Sequence, residues 1–446
     1  MSPPIPVLLV ACQMPPLLGP ATRRPASWVR EWPANGIDAV VLTAPPEDAA
    51  RAHGYAVGSG SRPPFTYVAT PPPRGLAGWL RRVHAPPRLA WTLGHRAVRE
   101  PESPWGRPAV ARGVELARAR AVRAVVSTSQ PVEAHVVGRA IARAAGVPWI
   151  ADFRDPMTEA EGRRWPTPIH AWLERCEERG FFRDAALVWA TCESAAARWR
   201  ARFPFARDRI RVRRNGVGPI DLAALPPAPA APPLRIGHVG RFTDTPRRSR
   251  LSWLESRPGG PGGTGSTPAP LFAALAVFLA RRPEAAGRVE WVSVGGDVGA
   301  PPPAGVTARH HPPVPYEEAL ALASTCHALY LPLTAPNRFG NQFVQQKVYD
   351  YAALRRPVLV TGAPCEAVEL LGSLAHLVAP DDAEALSRRI ERLYDAGGRS
   401  DPTSSPPAVS NQREVAAACA RDLLEVIGAA GPRDTRREVA PPIPPA

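Results

Sequence analysis

The chain has 446 residues, 45% of them hydrophobic, and a formal net charge of +15 from 55 basic and 40 acidic side chains. This length suits two domains of roughly 200 residues each better than one core. The positive charge favours anionic partners such as nucleotide-sugars or acidic lipid headgroups. The sequence has no helix-turn-helix, zinc-finger or RNP motif and no arginine cluster with interleaved aromatic residues, so we expect no nucleic-acid partner.

The six cysteines form neither C-x-x-C pairs nor a spacing with histidine that would indicate a metal site. In a chain of this size they are typical of reduced, mostly buried thiols in a cytoplasmic protein. Residues 5–12 are too short and too weakly charged at their flank for a signal peptide, and the longest apolar run, residues 271–280, is half a membrane span. We therefore expect a cytoplasmic protein whose contact with the inner face of a membrane is at most peripheral.

The first half of the chain alternates apolar runs with helical segments. Residues 7–11 are a continuous apolar run typical of a central parallel strand, and residues 39–43 are the next, so the chain opens as βαβ. Gly19 lies in the first strand-to-helix loop, where a glycine lets the backbone approach a ligand closely. Taken alone, this glycine is better explained as a turn residue. Further strands are predicted at residues 125–129, 148–152 and 185–191, and helices at residues 91–98, 133–145, 165–182 and 194–203.

Polar side chains follow two of these predicted strands. Ser129 ends one strand, and Arg154 with Asp155 follows the next. Open α/β sheets bind ligands beyond the carboxyl ends of their strands, so these three side chains are predicted to face a cleft. Neighbouring arginine and aspartate side chains more often form an ion pair with each other or cap a helix, and the residues alone leave that alternative open. His135, on the helix between these two strands, is predicted to be a satisfied surface histidine or a packing histidine rather than a site residue.

A stretch of proline and alanine divides the chain into two predicted domains. Residues 1–225 form the first domain, residues 226–233 the linker, and residues 234–408 a second domain that opens with a strand at 234–240. Residues 258–266 are a glycine-rich insert. Residues 409–430 are predicted to be a last helix, and residues 431–446 a disordered tail.

Lys347 is the single lysine among 55 basic residues. Apolar side chains recur around it at helical spacing, and residues 357–360 are typical of the next buried strand. A glycine-bearing run precedes this helix, whose N-terminus would favour an anion. A compact ammonium suits a single phosphate oxygen. An ordinary amphipathic helix with a solvated lysine explains these residues equally well. We expect Lys347 to occupy an exposed helix position, where alanine leaves folding nearly untouched.

The segment around this lysine resembles the donor-site motif K-x-x-E-Y-x-x-x-x-x-P of GT-B glycosyltransferases of the family-4-like group. The motif positions are occupied by Lys347, Asp350, Tyr351 and Pro357. Asp350 replaces the usual glutamate. Gln342 stands where the family has another glutamate, eight positions before Asp350.

The resemblance extends over most of the chain. Residues 127–157 are similar to the group's signature S-T-x-P-P…G-x-P-W-I-x-D-F-R-D-P-W, with Gln130 and Met157 as departures. The first loop resembles P-P-x-x-G and ends at Gly19. Residues 240–242 resemble the family's G-R-L, and the family's second cation in this region would be Arg247 or Arg248.

The resemblance implies an α/β GT-B fold, in which two Rossmann-like doubly wound domains face a cleft. In this fold the last helix, residues 409–430, would pack back on the first domain. It implies transfer of a sugar from a nucleotide-sugar co-substrate to a glycan or lipid-linked acceptor, with retained anomeric configuration and with neither a cofactor nor a metal. The residues it places on the donor side are Gly240, Arg241, Arg247, Gln342, Lys347 and Asp350, with the diphosphate on Arg241, Arg247 and Lys347 and the ribose on Asp350. Those on the acceptor side are Gly19, Ser129, Arg154 and Asp155, and those given a catalytic role are Asp155, Arg241 and Lys347.

Three functions other than glycosyl transfer remain open from the sequence alone. A binding or scaffold protein could keep the fold without turnover, and Gln342 and the glycine-rich insert favour it. A GT-B nucleotide-sugar epimerase would need carboxylates and histidines for acid/base chemistry in the cleft. A basic nucleic-acid-binding module would need clustered arginines with aromatic residues between them, a pattern that this sequence lacks.

Overall fold

The computed structural model describes residues 3–53, 56–69, 105–159, 165, 167–242, 266–295, 301–333, 343–399 and 409–431. Several predictions fall outside these described residues. They are the helix at 91–98, nearly all of the glycine-rich insert, the tail after residue 431, and the site residues Arg247 and Gln342.

The strands of the first half are β1 (Ile5–Val10), β2 (Leu17–Leu18), β3 (Ile37–Thr43), β4 (Ala56–Val57), β5 (Thr66–Tyr67), β6 (Ala124–Thr128), β7 (Trp149–Phe153), β8 (Leu187–Ala190) and β9 (Ile210–Val212). A seven-stranded parallel sheet has the order β5-β3-β1-β6-β7-β8-β9. β2 and β4 pair separately as a short antiparallel ribbon. In β1, Leu8 and Val10 pack into one core cluster and Val7 and Leu9 into another, because successive side chains of a strand point to opposite faces.

Helices connect these parallel strands. They are α1 (Pro20–Glu31), α2 (Pro46–His53), α3 (Gly106–Ala119), α4 (Glu133–Ala145), α5 (Pro168–Asp184) and α6 (Glu193–Arg202). Pro20 begins α1 and Pro168 begins α5; proline is favoured at the first helical position because it has no N–H to leave unbonded. Thr167 caps α5, since its side chain accepts a hydrogen bond from the backbone N–H of His170.

The second half builds a second sheet. Its strands are β10 (Leu234–Val239), β11 (Val289–Val294), β12 (Val306–His311), β13 (Ala328–Pro332), β14 (Val358–Thr361) and β15 (Ala375–Val378), all parallel, in the order β12-β11-β10-β13-β14-β15. The helices are α7 (Ala269–Arg281), α8 (Tyr316–Ser324), α9 (Gln346–Leu354), α10 (Glu366–Leu371) and α11 (Ala383–Asp395). Two parallel sheets with helical connections confirm the predicted α/β fold of two Rossmann-like units.

The last helix, α12 (Gln412–Ala429), packs against the first sheet's helices and strands rather than the second's. The indole N–H of Trp32 donates to the carbonyl of Ala416 at 3.2 Å. The indole N–H of Trp189 donates to Asp422 at 2.9 Å. Asp422 also pairs with Arg213 at 2.6 Å, so a buried carboxylate anchors the helix. No described helix is long and apolar enough to cross a lipid bilayer.

The two halves of the chain meet through residues that follow the carboxyl ends of their strands. Gln346, at the start of α9, donates from its amide to the carbonyl of Gly216 at 2.9 Å. Glu366, the first residue of α10, accepts from the backbone N–H groups of Glu193 at 3.0 Å and Ser194 at 2.9 Å. Arg214 donates to the same carboxylate at 2.8 Å. A carboxylate of the second half thereby caps α6 of the first half.

Candidate functional site

Two neighbouring strands of the second sheet are each followed by a glycine at their carboxyl ends. Gly240 follows β10 with φ 115°, and Gly295 follows β11 with φ 106°, both in the region that favours glycine. A Cβ on Gly240 would lie 2.9 Å from the side-chain nitrogen of Lys347. The absence of a side chain on Gly240 therefore leaves room for the lysine at this strand end.

Lys347 is the second residue of α9 and is half-buried, which corrects the expectation of an exposed lysine. Its Nζ lies 3.1 Å from Nε2 of His238. Burial lowers the pKa of Lys347 to about 7, and the charge of Asp350 only partly opposes this effect. At pH 7 the amine is therefore about half protonated. It sits in the first turn of a helix, where the backbone N–H groups also favour an anion.

His238 is one of the site residues that sequence reasoning missed. It is buried in β10, stacks on Phe242 with 4.1 Å between ring centroids, and has Nδ1 3.0 Å from the carbonyl of Tyr330. A carbonyl can only accept, so Nδ1 carries the proton and Nε2 accepts from Lys347. Burial lowers the pKa of His238 well below its usual value, and Lys347 adds to the shift. The available signal was a polar residue near the end of an apolar strand, just before Gly240.

Asp350, one turn further along α9, bonds to both halves of the chain. Its carboxylate accepts from Arg23 of α1 at 3.0 Å and from the hydroxyl of Tyr316 at 2.8 Å. The Arg23 guanidinium lies 4.2 Å from the Tyr316 ring centroid. Tyr316 in turn accepts from the N–H of Gly218 at 3.0 Å. The ribose role of Asp350 stays a prediction, and a ribose hydroxyl would share this carboxylate with Arg23.

The predicted acceptor-side residues lie together at the carboxyl edge of the first sheet. The hydroxyl of Ser129 accepts from the N–H of Arg154 at 3.2 Å, and the Arg154 guanidinium donates to the carbonyls of Gln130, at 3.0 Å, and Ala21. Gly19 caps α1 two residues before Ala21. Burial raises the pKa of Asp155, and Arg154 opposes the shift. The acceptor-side role of these residues stays a prediction.

The cationic donor-side residues are only partly brought together. Arg241 follows Gly240 directly and is exposed, so Gly240, Arg241 and Lys347 form one region. Arg247 and Gln342 lie outside the described residues. Among the residues that the structure describes, no group of three or more His, Cys, Asp or Glu side chains could hold a metal ion.

A buried ion pair supports the first-domain side of the site, and sequence reasoning did not identify it. Asp152, in β7, accepts from Arg24 of α1 at 2.8 Å, and the two side chains are 0% and 4% exposed. The hydroxyl of Thr128 donates to the same carboxylate at 2.7 Å. This pair fixes the first turns of α1 against the strand ends that carry Ser129 and Arg154. His135 packs in the core as predicted, with Nδ1 2.8 Å from the Ser127 hydroxyl.

The fold is that of GT-B glycosyltransferases, with two Rossmann-like domains whose strand ends face each other. Three solved structures show this likeness. HepE from Anabaena, solved with UDP and glucose, is 14% identical with a TM-score of 0.52 over 95% of this chain and 98% of that chain. Sucrose-phosphate synthase from Thermosynechococcus elongatus is 16% identical with a TM-score of 0.53 over 96% of this chain and 100% of that chain.

A protein from Listeria monocytogenes named as a UDP-N-acetylglucosamine 2-epimerase is 12% identical, with a TM-score of 0.50 over 96% of both chains. At these identities the likeness establishes the fold alone. No protein-family model and no curated protein sequence matches the chain. The family-4-like subgroup therefore stays a prediction.

Proposed function

We propose that this chain is a glycosyltransferase that moves a sugar from a nucleotide-sugar donor to a glycan or lipid-linked acceptor. The observation that carries the proposal is the position of Lys347. Its amine lies over Gly240 at the carboxyl edge of the second sheet and in the first turn of α9. Ligands of doubly wound domains bind at this edge, and the glycine lets a diphosphate approach the backbone.

In the proposed reaction the sugar's anomeric bond to the diphosphate breaks and the bond to the acceptor oxygen forms. Negative charge develops on the departing nucleoside diphosphate. Protonated Lys347, Arg241 and the N–H groups at the start of α9 would stabilise that charge. We propose that this cation set replaces a divalent metal and that the anomeric configuration is retained, as the resemblance implies.

The acceptor would lie on the first-domain side of the cleft. Arg154 and Ser129 hold the turn there through the contacts described above, and Asp155 is the nearby carboxyl group with a raised pKa. Buried carboxyl groups with a raised pKa are candidates for proton transfer to or from a reacting hydroxyl. We therefore propose that Asp155 lies beside the reacting hydroxyl of the acceptor and that the backbone of Gly19 also lies beside the acceptor.

The proposal is tested by measuring hydrolysis and transfer with a panel of nucleotide-sugars, with and without a chelator. We expect turnover of one donor class that survives chelation and falls in Lys347→Ala. The matched control is Arg388→Ala, which removes an exposed arginine of α11 and should leave turnover unchanged. Strict dependence on Mn²⁺ or Mg²⁺ would contradict the proposed leaving-group chemistry.

A nucleotide-sugar epimerase is the second candidate, favoured by the Listeria likeness in fold and by a histidine at the strand end. Such an enzyme would convert the donor without an acceptor. The same panel distinguishes the two, since epimerisation yields an intact nucleotide-sugar of altered configuration, whereas transfer releases the nucleoside diphosphate.

A further inference from the structure

The helix α5 exposes large apolar side chains to solvent. Ile169 is 66% exposed, Trp172 61% and Leu173 38%, while the opposite face carries the buried Phe181 and Phe182. Positions three and four apart share one face of a helix, so the exposed three form a continuous apolar patch. Cys176, one turn further, is also exposed. A contiguous exposed apolar patch that includes a tryptophan is typical of a surface that binds a partner or a membrane.

The arginines of α5 share its outer surface. Arg175, Arg179 and Arg183 are all exposed. The first two also contact aromatic rings, since the Arg175 guanidinium lies 5.4 Å from the Trp165 ring centroid and that of Arg179 lies 4.8 Å from that of Phe205. Positive charge therefore continues directly from the apolar patch along the helix.

The glutamates of α5 are turned away from this surface. Glu174 and Glu178 are each 1% exposed. Glu174 accepts from the indole of Trp165, and Glu178 pairs with Arg202 at 2.7 Å. Glu177 is half-buried, 3.6 Å from Arg139. Asp184, the last residue of the helix, pairs with Arg183 at 2.9 Å. The acidic side chains of the described helix are thus buried or paired, while Arg175 and Arg179 point outward.

The turn at Pro204–Arg209 extends the same surface. Phe205 is 43% exposed beneath Arg179, and the Arg209 guanidinium donates to the carbonyl of Arg183 at 3.2 Å. Arg207 is exposed, as is Asp208, the acidic residue of this turn. We call this region the α5 surface, formed by Ile169, Trp172, Leu173, Cys176, Phe205, Arg175, Arg179, Arg183 and Arg207.

We propose that the α5 surface binds the interface of an anionic lipid bilayer. Tryptophan and aliphatic side chains enter the boundary between headgroups and acyl chains, and arginines beside them bind anionic headgroups while their stems remain over the apolar region. A binding site for an acidic polypeptide or nucleic acid would use the arginines but would not need the exposed Ile169 and Leu173. The apolar and basic side chains on one surface therefore favour a membrane.

The test is co-sedimentation of the full chain with vesicles, without donor or acceptor. We expect binding to vesicles of phosphatidylglycerol and phosphatidylcholine, little binding to phosphatidylcholine alone, and a decline with salt. Ile169→Ser with Trp172→Ser should weaken the partition coefficient about tenfold or more, because the inserted apolar area is lost. Arg175→Gln with Arg179→Gln should weaken it severalfold on the anionic vesicles only.

The control is Leu222→Ser with Arg388→Gln, which changes an exposed apolar and an exposed basic side chain elsewhere and should bind as wild type. Circular dichroism melting verifies that each variant is folded. Equal sedimentation of the Ile169/Trp172 variant and wild type would overturn the proposal, as would wild type that binds neither vesicle. Because the vesicle experiment contains no sugar donor, its result does not decide whether the chain is a glycosyltransferase, which the donor assay tests separately.

Discussion

Nζ of Lys347 and Nε2 of His238 lie 3.1 Å apart, and the Tyr330 carbonyl fixes the imidazole from the other side at 3.0 Å from Nδ1. The imidazole accepts from the amine in either protonation state of the lysine. Among the residues that the structure describes, His238 and Gly240 at the end of β10 and Asp350 of the same helix lie close to Lys347. The Asp350 carboxylate bonds Arg23 and Tyr316. Burial lowers the pKa of Lys347 to about 7, and the negative charge of Asp350 opposes the shift only in part.

Binding of a diphosphate should therefore bring a proton with it. Above pH 7 the free protein holds Lys347 largely neutral, and the anion favours the ammonium, so affinity for UDP should fall as pH rises above 7, by up to about tenfold per unit. Calorimetry at pH 8 in two buffers of different ionisation enthalpy should show uptake of a fraction of a proton. Lys347→Met should show none, and equal heats for wild type in both buffers would disprove the linkage.

Replacement of Lys347 by alanine should weaken UDP binding about tenfold to a hundredfold, because a charge-assisted contact worth roughly 1.5–3 kcal/mol is lost. Lys347→Arg should recover only part of this, since a planar guanidinium is bulkier than an ammonium and Gly240 lies close to Nζ. Calorimetric titration measures both variants. Wild-type affinity in Lys347→Ala would remove this residue from the site.

Gly240→Ala should weaken UDP binding to a similar degree. The added Cβ would lie 2.9 Å from Nζ of Lys347, and the backbone at φ 115° is strained for alanine. Gly60→Ala is the matched control, because a Cβ there meets no atom within 4 Å. Thermal melts with and without UDP separate the two effects: strain lowers the melting temperature in both, whereas crowding of Lys347 reduces the shift that UDP produces.

Arg23→Met should raise affinity for UDP severalfold if Asp350 has its predicted ribose role, because it removes a competitor for the carboxylate at 3.0 Å. Asp350→Ala should lower the affinity. UMP and UDP titrations compare the variants, and Arg30→Met, which changes an exposed arginine of the same helix, is the control. Unchanged binding in both Arg23→Met and Asp350→Ala would place the ribose elsewhere.

Arg24→Met should reduce the free energy of unfolding by about 3–5 kcal/mol, because it leaves the fully buried Asp152 carboxylate without its cation. Urea unfolding of wild type and Arg24→Met measures the difference in the free energy of unfolding. Arg30→Met, which changes an exposed arginine, is the control. A loss below about 1 kcal/mol would show that Thr128 and the backbone satisfy Asp152 without the arginine.

The central elements could be predicted because their sequence pattern matches their burial. The helix Glu133–Ala145 has the predicted bounds, because its apolar positions recur at helical spacing. The strand Leu234–Val239 ends one residue before the predicted bound, and most of its residues are buried. The edge strands β12 and β15 were not predicted. Most residues of Val306–His311 are exposed and polar, so no apolar run marks the strand.

Much of the candidate site depends on contacts that local patterns do not encode. Arg23 and Asp350 are 327 positions apart, and Arg24 and Asp152 are 128 apart. A motif could indicate that Asp350 matters, but it could not show that an arginine from the other domain bonds the carboxylate. The prediction that Lys347 is exposed was wrong for the same reason. The neighbours that half-bury it, Gly240 and His238, come from a strand more than a hundred residues earlier.

Glu366 makes the stability of one domain depend on the position of the other. The N–H groups of Glu193 and Ser194 have their acceptor in a carboxylate that belongs to the second domain. When the domains move apart, the first turn of α6 loses its cap and those two amides meet water. We therefore expect opening of the cleft to speed deuterium exchange at these two amides, and a ligand that closes the cleft to slow it without contacting α6.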